Sequence, residues 1–350
     1  MRPTYINQII TQVQAHLEIG AASRRVTLAG AQAFGARWKG TLGRTEVPAA
    51  GLVSPATWEF DLAADRLDAN DLDRWLGPRA RAGLFARLMP FAAASPETTD
   101  RDAALARLRA RGRLSVDDLT LGRLELKRLR ANVELTGRSI HVRGAEAEFY
   151  NGSVRGELEA ELAAQPVYRF TGTFDRVNLA LLADATAALR GHFAGAVAGS
   201  LALDAQGVGR DDLLRSLNGR GTLQFRGVKL HGLDLMESHR AASAREGSSE
   251  FAEAAANFTI SSRKIQVETL QMTSTQGAFL AQGTVDFSRV VDLRVRPLAA
   301  NSPPASGGDT ADSRSRAPAA ARTVRVAGSL DALQVSPVEA EAGKAGAKKK

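Results

Sequence analysis

The chain has no cysteine, so it can build neither a disulfide framework nor a zinc–thiolate site. Aromatic residues are scarce at 5%, and only three tryptophans, Trp38, Trp58 and Trp75, supply large rigid anchors. Long apolar runs are also missing. The first 20 residues are broken by Asn7, Gln8, Gln12, Gln14 and His16, which excludes a signal peptide or a spanning helix there. Gly191, Gly195 and Gly199 fall at small-xxx-small spacing, but Gly191–Leu203 is about half the ~20 apolar residues a span requires. Phe193, Val197, Leu201 and Leu203 alternate in the same stretch, which predicts strand.

Chemistry-bearing patterns are equally thin. The five histidines, His16, His141, His192, His231 and His239, include no i, i+4 pair, and His231 and His239 lack an accompanying carboxylate pattern. Neither a Gly-x-Ser-x-Gly elbow nor a phosphate-cradling Gly-rich loop ending in Lys-Ser/Thr occurs. Gly207-Val208-Gly209 reads as a turn, while Asp117-Asp118 and Asp211-Asp212 read as strand and helix-cap acids. The expectation is a protein that is not an enzyme and uses no cofactor or metal. A net charge of +8 raises nucleic acid as a partner, yet the basic residues are dispersed among 38 acids. Only Lys344, Lys348, Lys349 and Lys350 cluster, with no aromatic among them for base stacking. That tail suits weak attraction to anionic membrane surfaces, not specific nucleic-acid binding.

What the chain has is alternation. From Arg113 to Leu162 apolar residues recur at every second position, as in Val133 and Leu135 or Ile140 and Val142, with Arg, Glu and Lys between them. This is the signature of a sheet with one apolar and one solvated face. The stretch Ala131–Gly152 recurs without a gap as Ala256–Gly277, 125 residues downstream, with six of 22 residues identical and the apolar phase kept. An upstream copy aligns Val26, Leu28, Gly30, Ala31 and Ala33 with Ile140, Val142, Gly144, Ala145 and Ala147, and then Trp38-Lys39-Gly40 with Val154-Arg155-Gly156. The predicted fold is therefore mainly β: repeated antiparallel meanders forming an elongated twisted sheet or groove, with a few short helices.

Helices are expected at 71–91, around Pro78, and at 100–111, 179–189 and 211–217, with a polar helix or loop over 238–255. The organisation expected is a partial β-repeat with a helical segment over 1–112 and two β-meander repeats over 113–300. A Pro/Gly/Ser-rich disordered loop over 301–321, final strands over 322–337 and a basic flexible tail over 338–350 complete it.

Four phrases in order carry a resemblance: Phe149-Tyr150-Asn151-Gly152-Ser153-Val154-Arg155-Gly156, Leu217-Asn218-Gly219-Arg220-Gly221-Thr222-Leu223, Val228 to Leu235, and Gly283-Thr284-Val285-Asp286-Phe287. Over roughly residues 25 to 335 the chain resembles the C-terminal part of AsmA-family proteins. The resemblance implies a periplasmic protein of a Gram-negative envelope, associated with the inner membrane, with Phe149, Tyr150, Asn151 and Gly152 as the family-motif turn. It implies a β-groove that binds or conducts phospholipid acyl chains between inner and outer membranes, with no catalytic residues. The family's N-terminal anchor helix is not found in the first 20 residues, so a short member, a fragment or a late start are all open. On the residues themselves, the candidate groove lining is Val133, Leu135, Ile140, Val142, Phe258, Ile260, Ile265 and Val267. Contact with such a lining is non-directional, at about 25 cal/mol per Å² of apolar area, so acyl chains could slide along it. The expected partners are phospholipid acyl chains, membrane surfaces and envelope proteins. The alternative function is a periplasmic scaffold that affects outer-membrane protein assembly.

Overall fold

The structure, a computed structural model, describes residues 10–20, 23–45, 57–68, 108–163, 165–185, 190–207, 209–298, 322–329 and 332–338. Period-2 text becomes strand almost throughout. The first group of strands is β1 (Thr11–Ile19), β2 (Ser23–Ala33), β3 (Ala36–Thr45), β4 (Thr57–Asp68), β5 (Arg109–Leu121) and β6 (Leu124–Thr136). These are followed by β7 (Ser139–Phe149), β8 (Gly152–Glu161), β9 (Val167–Asn178), β10 (Phe193–Gln206), β11 (Asn218–His231) and β12 (Ser248–Ser261). The last are β13 (Lys264–Ser274), β14 (Gly277–Asp286), β15 (Val290–Leu298), β16 (Val324–Ser329) and β17 (Ala332–Pro337). Among the described residues three helices interrupt them: α1 (Leu179–Asp184), α2 (Arg210–Ser216) and α3 (Leu235–Ala241).

The 17 strands make one sheet. Each strand pairs with its neighbours in sequence from β1 to β17, and the sheet stays open, with those two strands as edges. All pairs are antiparallel except β4 and β5, whose parallel register requires a crossover through residues 69–108. The expected position 112/113 falls inside β5, and the sheet runs on across it. The expected helix at 71–91 and the expected loop at 301–321 lie outside the described residues.

The repeat seen in sequence is a repeat of structure down to its irregularities. In β7 the ladder skips between Val142 and Ala145; in β13 it skips between Val267 and Leu270, the same positions 125 residues on. In β2 it skips between Leu28 and Ala31, the residues aligned with Val142 and Ala145. Each skip is a β-bulge, which bends the strand and sharpens its twist. Gly144 occupies the bulge of β7 at φ +57°, a backbone that side chains other than Gly, Asn and Asp rarely adopt. The upstream alignment needs one correction. Trp38 faces Ala31, and the residue facing Ala145 is Gly156, so Trp38 stands where Gly156 does. The hairpin between β2 and β3 closes two residues sooner on each strand, which displaces the alignment.

Two helix expectations change. Arg109–Arg111 opens β5, because Ala110 and the following Gly112 face Leu135 and Val133 on β6 while Arg111 faces Glu134, and residues 100–107 lie outside the described set. Over 238–255 only Ser238–Ala241 is helical, as the end of α3, while 248–255 form the first half of β12. Ala254 and Ala256 favour helix in isolation, but pairing with Phe225, Met272 and their neighbours overrides that preference. Helix α1 matches the first half of 179–189, α2 lies within a residue of the expected 211–217, and Asn218-Gly219 begins β11.

Candidate functional site

Along every strand from β2 to β17 the apolar side chains fall on one face of the sheet. Read across the registers, one position per strand falls in line: Leu17, Val26, Leu42, Phe60, Gly112, Val133, Val142, Leu158, Phe170, Leu203, Gly219, Ile260, Ile265, Val285, Val291, Gly328 and Leu333. No polar residue interrupts it. At about 4.8 Å between strands the row is roughly 75 Å long. From Val26 to Val285 every member is half-buried, shielded by its neighbours in the sheet and not by a second layer. The three helices are six or seven residues long and sit at strand ends.

A second line runs parallel to this row, nearer the strand ends that carry α1 and α3, and it is closed. Val177, Val197, Phe225, Ala254, Met272 and Phe279 face one another in turn, with Val177 fully buried and Val197, Ala254, Met272 and Phe279 at 9% exposure or less. In the first strands Ala31, Trp38, Ala64, Val116 and Leu129 continue the pattern. Leu233 and Leu235 lay α3 onto Phe251, Phe279, Val295 and Val324, sealing this part of the C-terminal strands as a dry core. Asp234 caps α3 by accepting from Glu237 N at 3.0 Å, and His239 Nε2 lies 2.7 Å from the Arg322 carbonyl oxygen. The face is therefore closed along one line and open along the other.

Glycines set the depth of the open row. A Cβ on Gly112 would stand 2.7 Å from the Phe60 ring, one on Gly172 2.6 Å from Phe170, and one on Gly221 2.6 Å from Phe258. The rings lie over these glycines, which flattens the floor and packs aromatics without a covering layer.

The opposite face is charged and paired. Arg111 bonds Glu59 at 2.6 Å, Arg155 lies 3.0 Å from Glu146, and Lys229 lies 2.7 Å from Glu250. Hydrogen bonding to Glu59 raises the Arg111 pKa, and hydrogen bonding from Lys229 holds the Glu250 carboxyl below its usual range. Ser200 and Thr222 hydroxyls bond at 2.9 Å in the same layer. Two hollows, of about 830 and 710 Å³, are lined mainly by this polar layer. A twisted sheet is saddle-shaped and so concave along one diagonal of either face. Their walls carry ion pairs such as Arg111–Glu59 and Arg155–Glu146, and among the described residues no three metal-ligating side chains converge.

No family model, curated protein or solved structure matches this chain. The site therefore stands on its own geometry. Val133 faces Val142 and Leu135 faces Ile140 in one hairpin; Phe258 faces Val267 and Ile260 faces Ile265 in the other. All eight lie on the apolar face. Phe258 and Val267 are buried, and the other six are half-buried. The two hairpins are brought into one row by β8 to β11, whose Leu158, Phe170, Leu203 and Gly219 were not among the expected lining. The alternation of Tyr168, Phe170 and Phe174 was a usable signal for β9. Phe149–Gly152 is a two-residue turn, with Tyr150 and Asn151 at φ +44° and +63°. That is the hairpin geometry whose twist matches the strands. The Tyr150 carbonyl accepts from Asn178 N at 2.9 Å, so this turn anchors β9 and takes no part in the row.

Proposed function

We propose that this protein binds the acyl chains of phospholipids along the open apolar row and carries them across its sheet, without catalysing a reaction. One observation carries the reading: an apolar row crosses all 17 strands, and from Val26 to Val285 it is half-buried, with no second layer over it among the described residues. Leaving so much apolar surface in water is costly, and a soluble protein rarely keeps such a strip unless it meets a partner. The half-thickness of a bilayer core is about 15 Å, so a row of roughly 75 Å spans several acyl lengths end to end. A pocket for one small ligand would not need that length.

The contacts offered are apolar and repeat at every strand, so a chain displaced by one strand spacing meets equivalent surface. That supports conduction over storage at a single station. The resemblance to AsmA-family proteins supports the same substrate class and a periplasmic, inner-membrane-associated setting. Organic extraction of the purified chain followed by mass spectrometry is expected to recover phospholipid. Lipid-free protein that also fails to take up phospholipid from vesicles would contradict the proposal.

A further inference from the structure

The two edges of the sheet are built differently. Strand β17 is six residues long and ends on Pro337, features that discourage a further strand. Strand β1 has nine residues with no Pro, Lys or Arg, and among the described residues it pairs only with β2. Its register breaks between Thr11 and Ala15, whereas Ala15–Ile19 faces Arg24–Leu28 residue for residue. Ala15 and Leu17 face Leu28 and Val26 on the apolar side, with Ile19 in the same phase, and His16 and Glu18 lie on the polar side. Ile19 and Leu17 are the two most exposed large apolar side chains among the described residues, at 71% and 56%. Leu17 heads the open row. Its members from Val26 to Val285 owe their half-burial to a strand on either side, and Leu17 has a strand on one side only.

We propose that β1 is the pairing edge for a second copy of this chain, antiparallel about a two-fold axis at Leu17, so that the open rows of the two copies meet end to end. Faces and charge select this register. A slip by one residue would set Leu17 against His16 and mix the two faces. Among registers that keep the faces apart, an axis at Glu18 opposes two carboxylates, one at His16 opposes two imidazoles, and one at Ala15 runs into Gln12, where the backbone turns to φ +49°. An axis at Leu17 instead sets His16 of each copy against Glu18 of the other, Ala15 against Ile19, and Leu17 against Leu17. The sheet uses the same device internally. On the polar face Glu18 faces Arg25, Arg111 lies between Glu59 and Glu134, and His141 lies between Glu134 and Glu159, its Nδ1 3.7 Å from the Glu159 carboxylate. Opposite charges facing across strands stabilise a sheet, and a pairing of identical edges about a two-fold axis closes on itself. Joined at Leu17, the two rows make one of roughly 150 Å. The pairing goes beyond the acyl reading and does not rest on it.

Five paired residues on each side make a small contact, so a covalent trap is the fitting test, and a chain without cysteine allows it. In the full-length Leu17→Cys variant the facing Cα atoms would stand about 4.5–5.5 Å apart, within disulfide reach. Under mild oxidation it is expected to form covalent dimer on a non-reducing gel about tenfold faster than Leu333→Cys on the other edge. Ala15→Cys alone should match the slow control, because its two thiols are offset by four residues, about 13 Å. Ala15→Cys mixed with Ile19→Cys should link rapidly. Should Leu17→Cys fail to fold by circular dichroism, that mixture decides in the same sense. Trapping of Leu17→Cys no faster than Leu333→Cys overturns the proposal, and so does equally fast linkage of Leu17→Cys to Leu333→Cys, which would mean end-to-end stacking of β1 on β17. A chain that binds phospholipid but fails the trap sinks the pairing alone, whereas a trapped dimer that takes up no phospholipid leaves the pairing standing and sinks the acyl groove.

Discussion

The Phe258 ring lies against the backbone of Gly221 across β11 and β12, where a Cβ on that glycine would come within 2.6 Å of the ring and 2.8 Å of the Ser200 carbonyl oxygen. The ring is buried although no second layer covers it among the described residues, because the glycine gives it room to lie flat. Gly221→Ala is therefore expected to destabilise the fold by about 1–3 kcal/mol, as overpacking does. Chemical denaturation measures it. Adding Phe258→Leu should return part of the loss, since the ring clash goes while the carbonyl clash stays.

The open row and the buried line should respond differently to the same insult. Ile265→Asp, in the row, and Ile140→Asp, beside it on the apolar face, place a carboxylate on half-buried positions that reach water, and each is expected to leave a folded protein that binds less acyl chain. Val177→Asp and Val116→Asp bury the charge completely, and are expected to cost 3 kcal/mol or more, roughly, or to abolish folding. Circular dichroism together with lipid uptake from vesicles separates the two. Unfolding of the Ile140 and Ile265 variants would show that the row is a closed core.

Asp292 and Arg325 join β15 to β16 by two hydrogen bonds of 2.7 and 2.8 Å. The guanidinium, through those bonds, holds the Asp292 carboxyl below its ordinary range. A carboxyl depressed in the folded state adds stability above its unfolded pKa, about 3.9, and that contribution disappears as pH falls through the depressed value. Both side chains are about half exposed, so the effect is discounted to under about 1 kcal/mol. The advantage of the native chain over Asp292→Asn should be full at neutral pH and shrink below about pH 4. Denaturant melts across pH would reveal a contrary slope.

Helix α3 seals its part of the C-terminal strands through Leu235 and is started by the Asp234 cap. Asp234→Ala is expected to lose about 1 kcal/mol of helix stability and to loosen the seal. Binding of an environment-sensitive apolar dye should then rise, as Phe279 and Met272 become reachable, while the strands persist. Unchanged dye binding would show that the seal holds without its cap.

Much of this architecture was legible in the chain itself because alternation survives wherever a sheet has one wet face. Val133 to Val142 and Ile260 to Ile265 could be placed on one surface from period alone. The bulges were harder to see. Gly144 and the skip after Val142 shift the phase by one, and only comparison with Val267 and Leu270 shows that the shift is a built feature. The first half of β12 escaped because Ala252 and Glu253 break its alternation and its alanines favour helix locally. The full row could not be read either, since it depends on cross-strand register, which joins Leu158 to Phe170 and Phe170 to Leu203 through pairings that no local pattern specifies.

The absence of cysteine makes the central claim directly measurable, since each introduced thiol is unique. A fluorophore on Val142→Cys, Phe170→Cys or Ile265→Cys, and on Glu157→Cys or Thr171→Cys of the opposite face, can be exposed to phospholipid carrying bromine on its acyl chains. Severalfold stronger quenching at the three row positions than at the two polar ones is the predicted result. Equal quenching on both faces, or none on either, would contradict an acyl-binding row.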